Sequence, residues 1–504
     1  MYQYRNPVLR GFHPDPSICR VGDDFYLVTS TFEYFPGVPV FHSKNLVDWE
    51  LINHCLTRPS QLDLSGRRAS GGVYAPTIRY HDGVFYMVTT DVGGKGHLLV
   101  HTTDIRGAWS EPVYIDHEGI DPSLTFADGG VYFCCTGRDA DGAQGIALFE
   151  IDVNTGAMLT EPRIISRGSG GKYPEGPHIY QKNGMFYLML SEGGTEYGHM
   201  VTLFRSKNIY GPYTARPHNP MVTHRDRMTG QIQAVGHPDL VEDQNGNLWM
   251  VCLGIRTIPG VLLHHIGRET FLVPARWTDD GWIKVGNNGT MELTMEGPLP
   301  GAPDKKPRAF TDDFSAPVLD RRWTYLRKPD MDNYRVNADE KALILTGTDV
   351  TLSTPKASPT FIGIRQPEFD MTASVRLSGP LKNGQRAGIT AFYNDSYHYD
   401  LYLTRRYGAY YIGLSKRIHD FEAVVCEKPV GYKGDIRFAI IADAKKYIFA
   451  YSAGAGFNRI GSGMTAGLAT EGTHTMTFTG TFIGLFSERG TARFGDFRLS
   501  PKKG

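Results

Sequence analysis

Residues 15–31 read DPSICRVGDDFYLVTST: an Asp-Pro pair, a short apolar strand, a Gly-Asp turn and an aromatic-rich second strand. The same order returns four times, as APTIRYHDGVFYMVTTD (75–91), DPSLTFADGGVYFCCTG (121–137), GPHIYQKNGMFYLMLSE (176–192) and HPDLVEDQNGNLWMVCLG (237–254). From the proline to the aromatic of the second strand the step is 10 residues at Pro16–Tyr26, Pro76–Tyr86, Pro122–Tyr132 and Pro177–Tyr187, and 11 at Pro238–Trp249. The turn pairs Gly22-Asp23, Asp82-Gly83, Asp128-Gly129, Asn183-Gly184 and Asn245-Gly246 favour the positive φ that tight hairpins require. Successive copies start 60, 46, 55 and 61 residues apart, room for about four strands each. A four-stranded sheet repeated radially is a propeller blade. The pattern predicts an all-β chain whose residues 1–300 form a five-bladed β-propeller. A β-sandwich with coincidental hairpins is the duller alternative.

Working outward, the 504 residues exceed what one hydrophobic core supports. EGPLPGAPDKKPRAF (296–310) is Pro-rich and polar, and residues 301–310 read as a linker. Beyond it, YHYDLYLTRRYGAYYIGLSKR, DIRFAIIADAKKYIFAYSAG and TMTFTGTFIGLFSERG alternate and turn as antiparallel hairpins. Residues 311–504 are therefore predicted to form a jelly-roll-like β-sandwich. Lys and Arg total 53 against 53 Asp and Glu, so no global field favours nucleic acid or an anionic membrane. No apolar run is long enough for a membrane helix, and no signal peptide is visible. The six cysteines form no CxxC pair and read as reduced thiols. These features predict a cytoplasmic protein, with a homo-oligomer possible.

The repeat also locates the chemistry. First strands of blades line a central channel, so equivalent positions of different blades converge. The residue before each proline is Asp15, Ala75, Asp121, Gly176 and His237, with Glu175 directly before Gly176. A residue before proline favours extended backbone, which suits a side chain aimed into a pocket. Each of these residues alone has an ordinary structural explanation: Asp before Pro starts turns, and a lone His is usually hydrogen-bonded scaffold. Three carboxylates gathered at one mouth repel one another, and a site that keeps them usually uses them. Paired carboxylates with aromatic walls are the minimum for breaking a glycosidic bond. Phe32, Tyr34, Phe35, Tyr74, Phe126 and Tyr173 are the aromatics near the repeat starts. The competing reading is a non-catalytic sugar-binding propeller, which would not need three converging acids.

The longer motifs NPVLRGFHPDPSICRVGDDFYLVTSTFEYFPGVPVFHSKNLVDW, GGVYAPTIRYHDG, GIDPSL, PEGPHIY with SEGGT, AVGHPDLVED and IGRETFLVPARW together resemble glycoside hydrolase family 43. That resemblance implies a five-bladed propeller followed by a concanavalin-like sandwich that helps close the pocket. It implies an inverting exo-hydrolase of terminal pentoses, β-xylosidase or α-L-arabinofuranosidase, acting on small xylan- or arabinoxylan-derived oligosaccharides. By motif, Asp15 is implied as general base, Glu175 as general acid, and Asp121 as the residue that orients the acid and holds up its pKa. Arg268 is implied to contact sugar hydroxyls, Phe32 and Tyr74 to line the pocket, and Phe482 to project into it from the second domain. His237 is implied to lie beside a central water or a structural Ca²⁺ that takes no part in the chemistry. Tyr74 stands where the xylosidase branch carries Trp, which tilts the expectation towards arabinofuranose.

Overall fold

A computed structural model describes every residue except 140, 143, 305–308, 455, 503 and 504, so part of the predicted linker lies outside the described residues. Each repeat forms the hairpin nearest the axis of one antiparallel sheet of four or five strands. The innermost strands are Ser17–Val21, Thr77–His81, Ile120–Ala127, Glu175–Lys182 and Ile232–Glu242. Each touches the next, and the last touches the first, so five blades close a ring. The first blade shows the order from axis to rim: Ser17–Val21, Asp24–Val28, Gly37–Ser43, Glu50–Leu56. At the turns Asp82/Gly83, Asp128/Gly129 and Asn183/Gly184 both residues have positive φ, the backbone of a tight two-residue hairpin.

Blade-to-blade packing makes the cores. Val88 and Leu99 of the second blade meet Leu124, Phe133 and Phe149 of the third, all at most 1% exposed. The ring is laced shut by the chain start. Tyr2–Arg5 pairs antiparallel with Thr294–Gly297. The Asn6 amide donates to the Leu272 carbonyl, and the Leu272 N–H returns the bond to Asn6 Oδ1, both at 2.9 Å. A side-chain amide thus imitates a strand pair where Pro7 cannot donate.

From Phe310–Asp312 onward the chain builds two large sheets packed face to face over one apolar core. The predicted hairpins Tyr397–Arg406/Ala409–Ile418 and Asp435–Ala442/Lys446–Ser452 are present. The third segment differs from expectation: residues 473–481 are irregular, and the strand begins only at Phe482. The two domains share a sheet. Tyr34–Phe35, from the propeller, pairs with Thr324–Leu326 at the edge of one sandwich sheet. Arg256 clamps the same joint, reaching Glu269 of its own blade and Glu368 of the sandwich, each at 2.7 Å.

Candidate active site

Three carboxylates arrive at one end of the channel through a shared backbone device. Asp15, Asp121 and His237 have φ of +53°, +57° and +48°, and Gly176 has +56°. The extended backbone expected before proline is therefore not what the structure adopts. These residues sit in the left-handed region, which Asp tolerates better than most and which costs about 1–3 kcal/mol at a non-glycine residue. In the third, fourth and fifth blades the strand register slips at this point, between Ile120 and Ser123, Glu175 and His178, and Gly236 and Asp239. Such bulges re-aim a side chain out of the sheet. Ala75, which neither carries a functional group nor follows one at the site, has no positive φ.

The result is a cavity of about 70 Å³ lined by Asp15, Phe32, Tyr74, Ala75, Ile120, Asp121, Glu175, Thr195, His237, Arg268 and Phe478. Asp15 is 4% exposed and accepts from Ser30 Oγ at 2.5 Å and from Arg268 Nη1 at 3.0 Å. The same guanidinium donates to Thr195 Oγ1 at 3.1 Å and to the Phe478 carbonyl at 3.2 and 3.3 Å. It also lies against the Phe32 and Phe478 rings, 5.5 and 5.3 Å from their centroids. Arg268 thus ties the first blade, the fourth blade and the sandwich into one wall.

Burial, then the charge of Asp15, raises the Glu175 carboxyl to about 7, against the opposing pull of Arg268. Asp121 is pushed well above the usual carboxylate range by burial, then by Glu175 and Asp15, while the Gly176 N–H and Arg268 oppose the shift. With both carboxyls raised, the cluster keeps a proton at neutral pH. His199 lies behind Glu175, its Nε2 3.8 Å from Oε1. Burial keeps this imidazole neutral, at about 3, and its Nδ1 faces the Ala234 carbonyl at 3.2 Å. Its Nε2 has no hydrogen-bond partner.

Calcium calls for six to eight oxygen ligands. Among the described residues no group of three or more His, Cys, Asp or Glu side chains could hold a metal ion. His237 has Asp15 Oδ1 at 3.9 Å, and the Asp239 carboxylate below is fully engaged. Asp239 accepts from Ser17 Oγ at 2.7 Å, from Tyr180 at 2.6 Å and from Arg79 at 2.8 Å. Arg79 also contacts His178 Nδ1 at 2.7 Å. The residues do not fit a calcium cage, and the positive charge near the axis is a guanidinium.

Seven of the eight residues expected at the site, Asp15, Phe32, Tyr74, Asp121, Glu175, His237 and Arg268, do line this cavity. Phe482 does not, which corrects the expectation. As the first residue of its strand it is fully buried against Phe12 and Tyr34, with the Tyr34 ring stacked at 4.1 Å. Phe478, four residues earlier in the irregular stretch, is the sandwich aromatic in the cavity wall. Its N–H donates to Ser70 Oγ at 2.9 Å and its ring meets Phe32 at 5.6 Å. Ser30, Thr195, His199 and Phe478 escaped the sequence reading. Only Thr195, inside SEGGT, carried a signal that could have found it. Of the other aromatics, Tyr34 is core, Phe126 stacks on His81 at 4.3 Å, and Tyr173 stands 70% exposed.

Comparison with known proteins is consistent along the chain. The profile of Glycosyl hydrolases family 43 matches residues 4–283, and that of the Beta xylosidase C-terminal Concanavalin A-like domain matches residues 311–499. A non-reducing end α-L-arabinofuranosidase of Bacteroides ovatus is 40% identical over 96% of this chain and 91% of its own. A xylan 1,3-β-xylosidase of a Vibrio species is 33% identical over 98% of both chains. Among solved structures, a xylan β-1,4-xylosidase of Bacillus halodurans superposes with a TM-score of 0.91 at 32% identity, over 98% of this chain and 99% of its own.

Proposed function

The chain belongs to glycoside hydrolase family 43, and from that premise we propose that it releases single terminal pentoses, α-L-arabinofuranosyl or β-D-xylopyranosyl, from xylan-derived oligosaccharides with inversion. The observation that carries this reading is the meeting of Asp15, Asp121 and Glu175, from three blades, in one small cavity walled in part by Phe478 of the sandwich. Glu175, raised to about 7 and so still holding its proton in a large share of molecules at neutral pH, is the general acid that gives that proton to the leaving oxygen. Asp15, fixed by Ser30 and Arg268, is the general base that draws a proton from the attacking water. Asp121 accepts from the Gly176 N–H beside the acid and disfavours a second negative charge there. His237 stays neutral, because burial lowers its pKa, and packs against Gly176. Arg268 holds the base and offers donors to sugar hydroxyls. No step needs a metal, and an uncharged sugar suits a chain of zero net charge.

Turnover of aryl α-L-arabinofuranoside and aryl β-D-xylopyranoside, followed by NMR of the first-formed anomer, tests this reading. Inversion at the anomeric carbon is expected, with Asp15→Ala and Glu175→Gln each losing at least about a hundredfold on an unactivated oligosaccharide. A retained anomer, or wild-type rates in both variants, would overturn it.

A further inference from the structure

Resting on that function, the structure carries information about the part of the substrate that leaves. Arg268, Thr195 and Phe478 form part of the cavity wall. The cavity adjoins a second hollow of about 520 Å³ between the third and fourth blades, with Ile120 and Glu175 common to both. Glu118, Arg138, Gln144, Arg167 and Tyr173 are the hollow's other large polar and aromatic lining residues. A general acid stands beside the oxygen that departs, so the leaving group must pass Glu175, and the hollow lies on that path.

Tyr173 has been set there at a cost. Its φ is +51°, unfavourable for an aromatic residue, and it stands 70% exposed. Its ring rests over Gly194, where an added Cβ would come within 3.3 Å of the ring edge. The loop leading to it is tied down from inside. Glu192, fully buried, accepts from the Ser169 and Gly171 N–H groups at 2.8 Å each, and the Gly193 N–H donates to the Lys172 carbonyl at 2.7 Å. A buried carboxylate therefore anchors a surface loop that presents one aromatic face beside the general acid. Across the hollow, Arg138 pairs with Glu118 at 3.1 Å, giving a polar wall suited to hydroxyls.

We propose that Tyr173 is the stacking platform for the first leaving-group sugar and that the hollow accepts the following units. The preferred substrate class is then a pentose carried on a chain of several sugars, rather than a disaccharide. The experiment compares Tyr173→Ala, Tyr173→Phe and wild type on two substrates, a pentose-capped pentasaccharide and an aryl pentoside. The readout is the ratio of kcat/KM on the first to that on the second. Tyr173→Ala should lower the ratio about tenfold, mainly through KM on the pentasaccharide, and Tyr173→Phe should keep it within about twofold of wild type. A ratio unmoved by Tyr173→Ala, or a Phe variant as poor as Ala, overturns the platform. A wild type that releases pentose from neither substrate refutes the proposed function instead, so the two failures are distinguishable.

Discussion

Replacing Arg79 by Met removes the cation of the propeller axis. In the native protein its Nη1 and Nη2 reach the two Asp239 oxygens at 2.8 and 3.3 Å, and the Asp239 side chain is 0% exposed. The variant leaves that carboxylate to Ser17, Tyr180 and the N–H groups of Ile18 and Leu240. Removing one partner of a buried pair costs about 3–5 kcal/mol, and the remaining donors favour the lower end. At about 2 °C per kcal/mol for a domain of this size, the propeller should melt roughly 6 °C lower. The loss should depend on pH. Burial opposes the Asp239 charge, but Arg79 and His178 outweigh it and hold the carboxyl far below its usual range. Its depressed pKa gives stability that is present above the unfolded value and lost as pH falls through the folded one. Without Arg79, burial dominates and the folded pKa rises, so the variant is penalised most where Asp239 must stay ionised. Thermal unfolding at pH 5 and pH 8 should show the larger deficit at pH 8, and Arg79→Met/Asp239→Asn should recover part of it. A single variant melting within 1 °C of wild type at pH 8, or an equal deficit at both pH values, would refute the reasoning.

The acid's pKa of about 7 sets the alkaline limb of activity: kcat/KM on an unactivated pentoside should fall about tenfold per pH unit above it. A profile flat to pH 9 contradicts the assignment of Glu175. Phe478→Ala should lower kcat/KM about tenfold with little change in melting temperature. Phe482→Ala, which empties a packed core position, should cost about 3–5 kcal/mol of stability; the opposite pattern would restore Phe482 to the pocket. Because the axial cation is covalent, dialysis against a chelator should leave both kcat/KM and melting temperature unchanged, and a loss restored by Ca²⁺ would show that the residues hold a metal after all.

Much of this was legible because the informative residues leave local marks. A tight hairpin needs residues such as Asp82-Gly83, and the prolines after Asp15, Ala75, Asp121 and Gly176 lie within two residues of the start of an inner strand. Once the repeats are counted as blades, residues as distant as Asp15 and His237 become neighbours. What stayed hidden depends on tertiary contact. TMTFTGTFIGLF alternates like a strand throughout, yet its first half is irregular. The Thr481 N–H is taken by the His265 carbonyl, and Gly480 lies so close to Ile266 that a Cβ would stand 2.3 Å from its carbonyl oxygen. Docking on the fifth blade fixes where the strand begins, and so exchanges Phe482 for Phe478. Arg79 in TIRY reads as an ordinary polar strand residue; only ring closure brings Asp239 to it.

The departure of the fourth blade from the repeat explains how acid and base become different. In the first and third blades the carboxylate sits on the pre-proline residue itself, short and held close to the backbone. In the fourth that place is Gly176, and a Cβ there would stand 3.0 Å from the His237 ring. The carboxylate therefore moves one residue upstream and gains a methylene. Its side chain is 19% exposed, against 5% for Asp15. The base is clamped by Arg268, while the acid alone of the two also borders the neighbouring hollow proposed for the leaving chain. Filling position 176 would press on the imidazole of the fifth blade and turn Glu175 away from that border. The steric demand of His237 on one glycine thus fixes which carboxylate faces the leaving group.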